Sequence, residues 1–145
     1  LDEALAICKR LWSEESIAHQ GEFFRFEPVR FDPKPIQKPY PRIHVGGESE
    51  AALKRAARVG DGWLGLHHTL ESVRPQIHRI NALRNTFGRA GHPFEVTVGG
   101  SPDSLDQIQS LEEAGVTRLI VRPWRRTSEA MDGIGSFAER FIPNP

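Results

Sequence analysis

The residues best suited to chemistry sit at the ends of short apolar runs. Gly46-Gly47 closes the run Ile43-His44-Val45 and precedes an amphipathic stretch from Glu50 to Val59. Glycines let a backbone approach a ligand closely, and the free N–H groups of a helix start attract an anion such as phosphate. A tight strand-to-helix turn uses the same doublet, so spacing alone leaves both readings open. Glu48 would repel a phosphate and is expected to point outward, acting only on the helix dipole. His67 and His68 follow Trp63-Leu64-Gly65-Leu66. An imidazole titrates near neutrality and can donate a proton or hydrogen-bond a cofactor; a solvated loop histidine is the plainer alternative. Adjacent histidines lack metal-ligand spacing, so no metal is expected. Arg122 ends the run Arg118 to Val121 and is a candidate substrate or anion contact, whereas Arg125 and Arg126 read as a solvated basic face. Phe24 and Phe26, with Phe23 and Phe31, can line a substrate pocket or form a cluster beneath a loop. Cys8 lies on an apolar helical stripe and reads as packing.

These residues need a scaffold, and the chain's periodicity supplies one. Leu1, Leu5, Cys8, Leu11 and Trp12 recur at helical spacing, which predicts a helix over 1–12. A helix already running at the first residues points to a piece of a longer protein. Residues 13–41 read as an irregular connection. They include a short strand or hairpin near Phe23 to Phe26 and a segment dense in proline, which disfavours helix. From residue 42 to 145, strand and helix alternate through four units. Strands are expected at 43–45, 63–66, 95–98 and 118–121, and helices at 50–59, 71–89, 104–114 and 128–141. Such alternation argues for parallel βαβ units, either an open doubly wound sheet or an arc of a (β/α)8 barrel. The chain reads as an α/β fold, a single partial domain over 1–145, and its four βα units are half the number an eightfold barrel needs.

Composition excludes several classes. Lys plus Arg and Asp plus Glu each number 19, giving zero formal net charge and no field to hold a nucleic-acid backbone or anionic membrane. Apolar residues at 38% argue against disorder. No apolar run approaches the ~18 residues of a membrane span. A single cysteine fits a reducing, cytoplasmic setting.

The run Pro39-Tyr40-Pro41-Arg42-Ile43-His44-Val45-Gly46-Gly47-Glu48-Ser49, continued by Ala51-Ala52-Leu53-Lys54-Arg55-Ala56-Ala57-Arg58-Val59-Gly60-Asp61-Gly62-Trp63, resembles a signature of the bacterial luciferase-like monooxygenase family, deazaflavin-dependent oxidoreductases included. The helix Leu1 to Trp12, the segment His19-Gln20-Gly21-Glu22-Phe23-Phe24, the connection Pro33 to Pro39 and Leu111-Glu112-Glu113-Ala114-Gly115-Val116 agree with it. The resemblance implies a TIM-like barrel using FMN or the deazaflavin coenzyme F-420, of which this chain is the C-terminal half. It implies cofactor contacts at Gly46, Gly47, Glu48 and Ser49, and at Gly65, Leu66 and His67. It places Asp61 at a turn at the bottom of the barrel.

Read this way, the chain is part of an oxidoreductase acting on a small organic substrate. It would use hydride transfer with a deazaflavin, or monooxygenation with reduced FMN and oxygen, and would lack activity without the N-terminal half of the barrel. A different class remains open: a non-catalytic half-barrel that assembles with itself, as a homo-oligomer, or with a partner chain. A small open α/β enzyme with its own site finds no support, because no nucleophile-elbow, P-loop or metal motif is present.

Overall fold

The computed structural model describes residues 1–142. The chain divides into two compact units, Leu1–Ile43 and the residues from His44 onward.

The first unit is a helix and a hairpin. Helix α1 spans Asp2–Ser13, with Asp2 and Glu3 in its first turn and Arg10 in its last, as the helix dipole favours. Lys34 Nζ donates to the carbonyls of Leu11 (2.8 Å) and Glu14 (2.6 Å), satisfying acceptors that a helix end leaves open. Strands β1 (Ile17–Gln20) and β2 (Arg25–Val29) pair antiparallel, with a bulge between Ile17 and His19. The expected hairpin is therefore present. Phe23 and Phe24 occupy its turn rather than a strand, because Glu3 captures their backbone: its carboxylate accepts from Phe23 N–H (3.0 Å), Phe24 N–H (3.1 Å) and His19 Nε2 (2.7 Å). Burial works to raise the Glu3 carboxyl, but these bonds outweigh it and hold the group below the ordinary carboxylate value. Ile7 and Ile17 are buried.

The second unit alternates strand and helix: β3 (His44–Gly46), α2 (Glu50–Val59), β4 (Gly62–His67), α3 (Leu70–Thr86), β5 (Glu95–Gly100), α4 (Leu105–Glu113), β6 (Arg118–Val121) and α5 (Ala130–Phe141). Where a helix over 128–141 was expected, residues Thr127–Glu129 form a 3-10 turn ahead of α5. The four strands are parallel and lie in sequence order, β3-β4-β5-β6. Right-handed crossovers in such a sheet put the connecting helices α2, α3 and α4 on one face. This is the arrangement of a barrel arc, and the reversal of strand order that marks a doubly wound sheet does not occur among the described residues.

Burial divides the two faces of the sheet. Val45, Trp63, Val96 and Val98 point one way and are buried, with Trp63 and Val98 fully enclosed. Ala52, Leu53, Ala56 and Ala57 of α2, Val73, Ile77 and Ile80 of α3 and Leu111 of α4 make up the helical side of that core. The alanines of α2 allow a close approach to the sheet. Strand register places His44, Gly62, Leu64, Glu95, Thr97, Arg118 and Ile120 on the opposite face. There Leu64 and Ile120 are 39% and 53% exposed.

At the N-terminal ends of the strands, His44 Nε2 and Arg118 each meet Glu95 Oε2 at 3.1 Å. This cluster bridges β3, β5 and β6 across β4. It can do so because Gly62 stands between: a Cβ there would meet the His44 ring at 2.9 Å.

Candidate functional site

The turn between β3 and α2 holds the glycine doublet. Gly47 adopts φ +114°, a conformation that side chains rarely take, and a Cβ on it would lie 3.1 Å from that of Ala52. Its N–H donates to Leu64 O (3.3 Å) and its carbonyl accepts from Trp63 Nε1 (2.8 Å), so the turn is fastened to β4 on both sides. Gly46 has open space around it, with Leu64 O at 3.8 Å the nearest atom to an added Cβ. Ser49 caps α2 by accepting from Ala52 N–H (3.2 Å). The N–H groups of Glu50 and Ala51 have no partner among the described residues. A turn open at Gly46, with free donors at the first positions of a ten-residue helix, suits the phosphate of a nucleotide-like cofactor.

Two carboxylates flank this turn, and both are engaged. Glu50 pairs with Arg79 of α3, and this contact holds its carboxyl below the ordinary carboxylate value. Glu48 does not project into solvent as expected. Its Oε1 accepts from Leu66 N–H (2.8 Å) and from His68 Nε2 (3.1 Å). The other ring nitrogen, His68 Nδ1, lies 3.0 Å from Ser72 Oγ. The ring tilts against Trp63 at 5.5 Å, and the side chain is only 8% exposed.

The two histidines thus have different positions. Between Leu64 and His67 strand β4 carries one residue more than β5, a bulge at Gly65-Leu66. His67 pairs with Gly99 on the face opposite the helices, where it is exposed. His68 turns to the helical side and becomes a structural post between Glu48 and Ser72. Leu66, at the bulge, is 69% exposed.

A cavity of about 520 Å³ opens beside them, between the loops that follow β4 and β5. Its polar lining includes His67, His68, Glu71, Ser101, Asp106 and Gln107. Sequence reasoning missed Asp106 and Gln107, whose only sequence signal is their place in the first turn of a helix after a strand. Thr97, also missed, is buried on the open face of the sheet, and its hydroxyl has no partner among the described residues. Arg122 is exposed at the end of β6 with no ion-pair partner among the described residues. Phe24 and Phe26 belong to the first unit. Phe24 is 45% exposed in the hairpin turn, and Phe26 stacks on His19 at 5.8 Å. Cys8 is half-buried on α1. Among the described residues there is no group of three or more metal-ligating side chains, and no helix is long and apolar enough to cross a membrane.

Residues 1–133 match the family described as luciferase-like monooxygenase. An FMNH(2)-dependent dimethylsulfone monooxygenase of Pseudomonas putida is 29% identical over 135 residues, which are 93% of this chain and 35% of that protein. An uncharacterised protein of Mycobacterium tuberculosis is 35% identical over 83% of this chain and 41% of its own. The fold is similar to that of an F-420-dependent secondary alcohol dehydrogenase solved with an F-420-acetone adduct, at a TM-score of 0.72 and 13% identity, covering 94% of this chain and 58% of that one. The chain therefore spans roughly a third to three fifths of these proteins. Its parallel sheet, with the helices on one side, is the partial barrel expected from the sequence. By its matched residues and its fold, the chain belongs to the luciferase-like monooxygenase family.

Proposed function

We propose that this chain is the cofactor-seating half of an FMN- or F-420-dependent oxidoreductase, with the turn Gly46 to Ala51 receiving the cofactor's phosphate. The observation that carries the reading is the open turn at Gly46, followed by the N–H groups of Glu50 and Ala51 that have no partner among the described residues, within a sequence that matches the family. Gly46, Gly47 and Ser49 would hold the phosphate end. Gly65, Leu66 and His67, at the end of β4, would meet the rest of the cofactor. The cofactor, when bound, supplies the redox chemistry: hydride transfer for the deazaflavin, or oxygen activation for reduced FMN. The chain's own residues bind, orient and exclude water. His67, exposed at the mouth, is placed to hydrogen-bond a cofactor or substrate. Arg122, exposed at the end of β6, would offer a cation to an anionic substrate group. The substrate is a small organic molecule, and turnover requires the remaining half of the barrel.

Fluorescence titration of the purified chain with FMN and, separately, F-420 tests the seat. Saturable micromolar binding of one supports the proposal and identifies the cofactor; the absence of binding for both refutes a working seat in this chain.

A second reading draws on the exposed Leu64 and Ile120 of the sheet's open face: a half-barrel that covers this face by assembling with another chain or a second copy. Size-exclusion chromatography with light scattering decides it, since a monomer at high micromolar concentration counts against self-assembly.

A further inference from the structure

A carboxylate is an odd neighbour for an anion seat, and the structure keeps one there. Glu48 directly follows Gly47 and precedes the Ser49 cap. Its carboxylate cannot swing away without breaking the bonds from Leu66 N–H and His68 Nε2, and His68 is itself held by Ser72 and Trp63. The neighbouring carboxylate, Glu50, is neutralised by Arg79. The fixed negative charge of the turn is therefore that of Glu48.

Such a charge acts unequally on the two kinds of phosphate that flavin-type cofactors carry. A phosphate monoester, as in FMN, bears close to two negative charges at pH 8, because its second pKa is about 6. A phosphodiester, as in F-420, bears one at its phosphorus. Coulomb repulsion from a fixed anion scales with the ligand's charge, so the monoester is penalised about twice as much. We infer that Glu48 is a specificity-determining residue that biases the turn toward phosphodiester cofactors and against phosphomonoesters. The inference rests on the reading of Gly46 to Ala51 as the cofactor seat.

Glu48→Gln isolates the charge, because the amide oxygen can still accept from Leu66 N–H and His68 Nε2. Three ligands with one ring system form a ladder of phosphate charge: riboflavin, the methyl ester of FMN, and FMN. Affinities are measured at pH 8 for the 145-residue chain, for E48Q and for E48A. The expected gain in E48Q is roughly threefold per ligand charge, hence about tenfold for FMN, threefold for the ester and none for riboflavin. The attraction of the helix start also grows with ligand charge, so the readout is the FMN-to-ester affinity ratio, expected to rise about threefold from the unsubstituted chain to E48Q and likewise to E48A. An equal change for all three ligands, or an FMN-to-ester ratio that is the same in the unsubstituted chain, E48Q and E48A, overturns the role of Glu48 and leaves the seat standing. Failure of all these chains to bind any of the three ligands overturns the seat, and this inference with it.

Discussion

The two adjacent glycines of the turn are alike in sequence and unlike in structure, which gives a sharp test of the backbone geometry. In Gly47→Ala the new side chain must adopt φ near +114°, a conformation that costs an L-residue about 1–2 kcal/mol. Its Cβ also lies 3.1 Å from that of Ala52, tighter than ordinary van der Waals contact, and the packed α2 can yield only by shifting, at about 1 kcal/mol more. The sum is about 2–3 kcal/mol. For a unit of about 100 residues, each kcal/mol moves the melting temperature by roughly 4–8 °C, so a fall of roughly 8–24 °C is expected. Gly46→Ala is the control. Its φ is not positive, and the nearest atom to its Cβ is 3.8 Å away, so the change should be under about 1 kcal/mol and favourable, through lost freedom of the unfolded chain. Circular dichroism melts of the two variants beside the parent chain provide the assay. Equal melting temperatures for the two variants, or a Gly47→Ala chain as stable as the parent, would refute the assigned turn conformation.

Other substitutions probe the fastenings around this turn and the hairpin. Trp63→Phe removes the donor to Gly47 O from a fully buried position, and the orphaned carbonyl and lost volume together cost about 2–3 kcal/mol, read as a lower urea midpoint. Glu3→Gln tests the hairpin clamp. The folded Glu3 carboxyl lies below its unfolded value of 4.5, so its contribution is complete above that pH and disappears as pH falls through the folded value. The variant should be less stable at pH 7 and lose less on acidification; parallel pH profiles of the urea midpoint for the two chains would contradict the clamp. His68→Ala leaves Glu48 without one of its two donors and should destabilise the chain measurably, whereas His67→Ala, at an exposed position, should stay within about 0.5 kcal/mol of the parent.

The sequence made the βα units legible because their signals are local. Apolar runs of four or so residues, helix starts capped by Ser49 and Ser104, and glycines past helix ends define each element within a few positions. Strand order is not local: periodicity alone leaves the barrel arc and the doubly wound sheet both open, the family resemblance favours the barrel, and the pairing β3-β4-β5-β6 agrees with it. The helix ahead of the proline-rich segment was equally clear. Its hairpin turn was not, since it depends on Glu3 reaching backbone groups about twenty residues away.

The candidate site divides along the same line. A Gly-Gly doublet at a strand-to-helix turn is visible in one dimension, and so is a pair of histidines at a strand end. What distinguishes His67 from His68 is a single extra residue in β4, and no composition or periodicity announces a bulge. Without that bulge, the alternation of the strand would place Leu66 opposite Gly99 and reverse the faces of the two histidines. The bulge also brings Leu66 N–H to Glu48, which is why a carboxylate expected to face solvent is instead fixed beside the turn. An irregularity in β4 therefore decides both which imidazole is exposed and which carboxylate is fixed beside the Gly46-Gly47 turn.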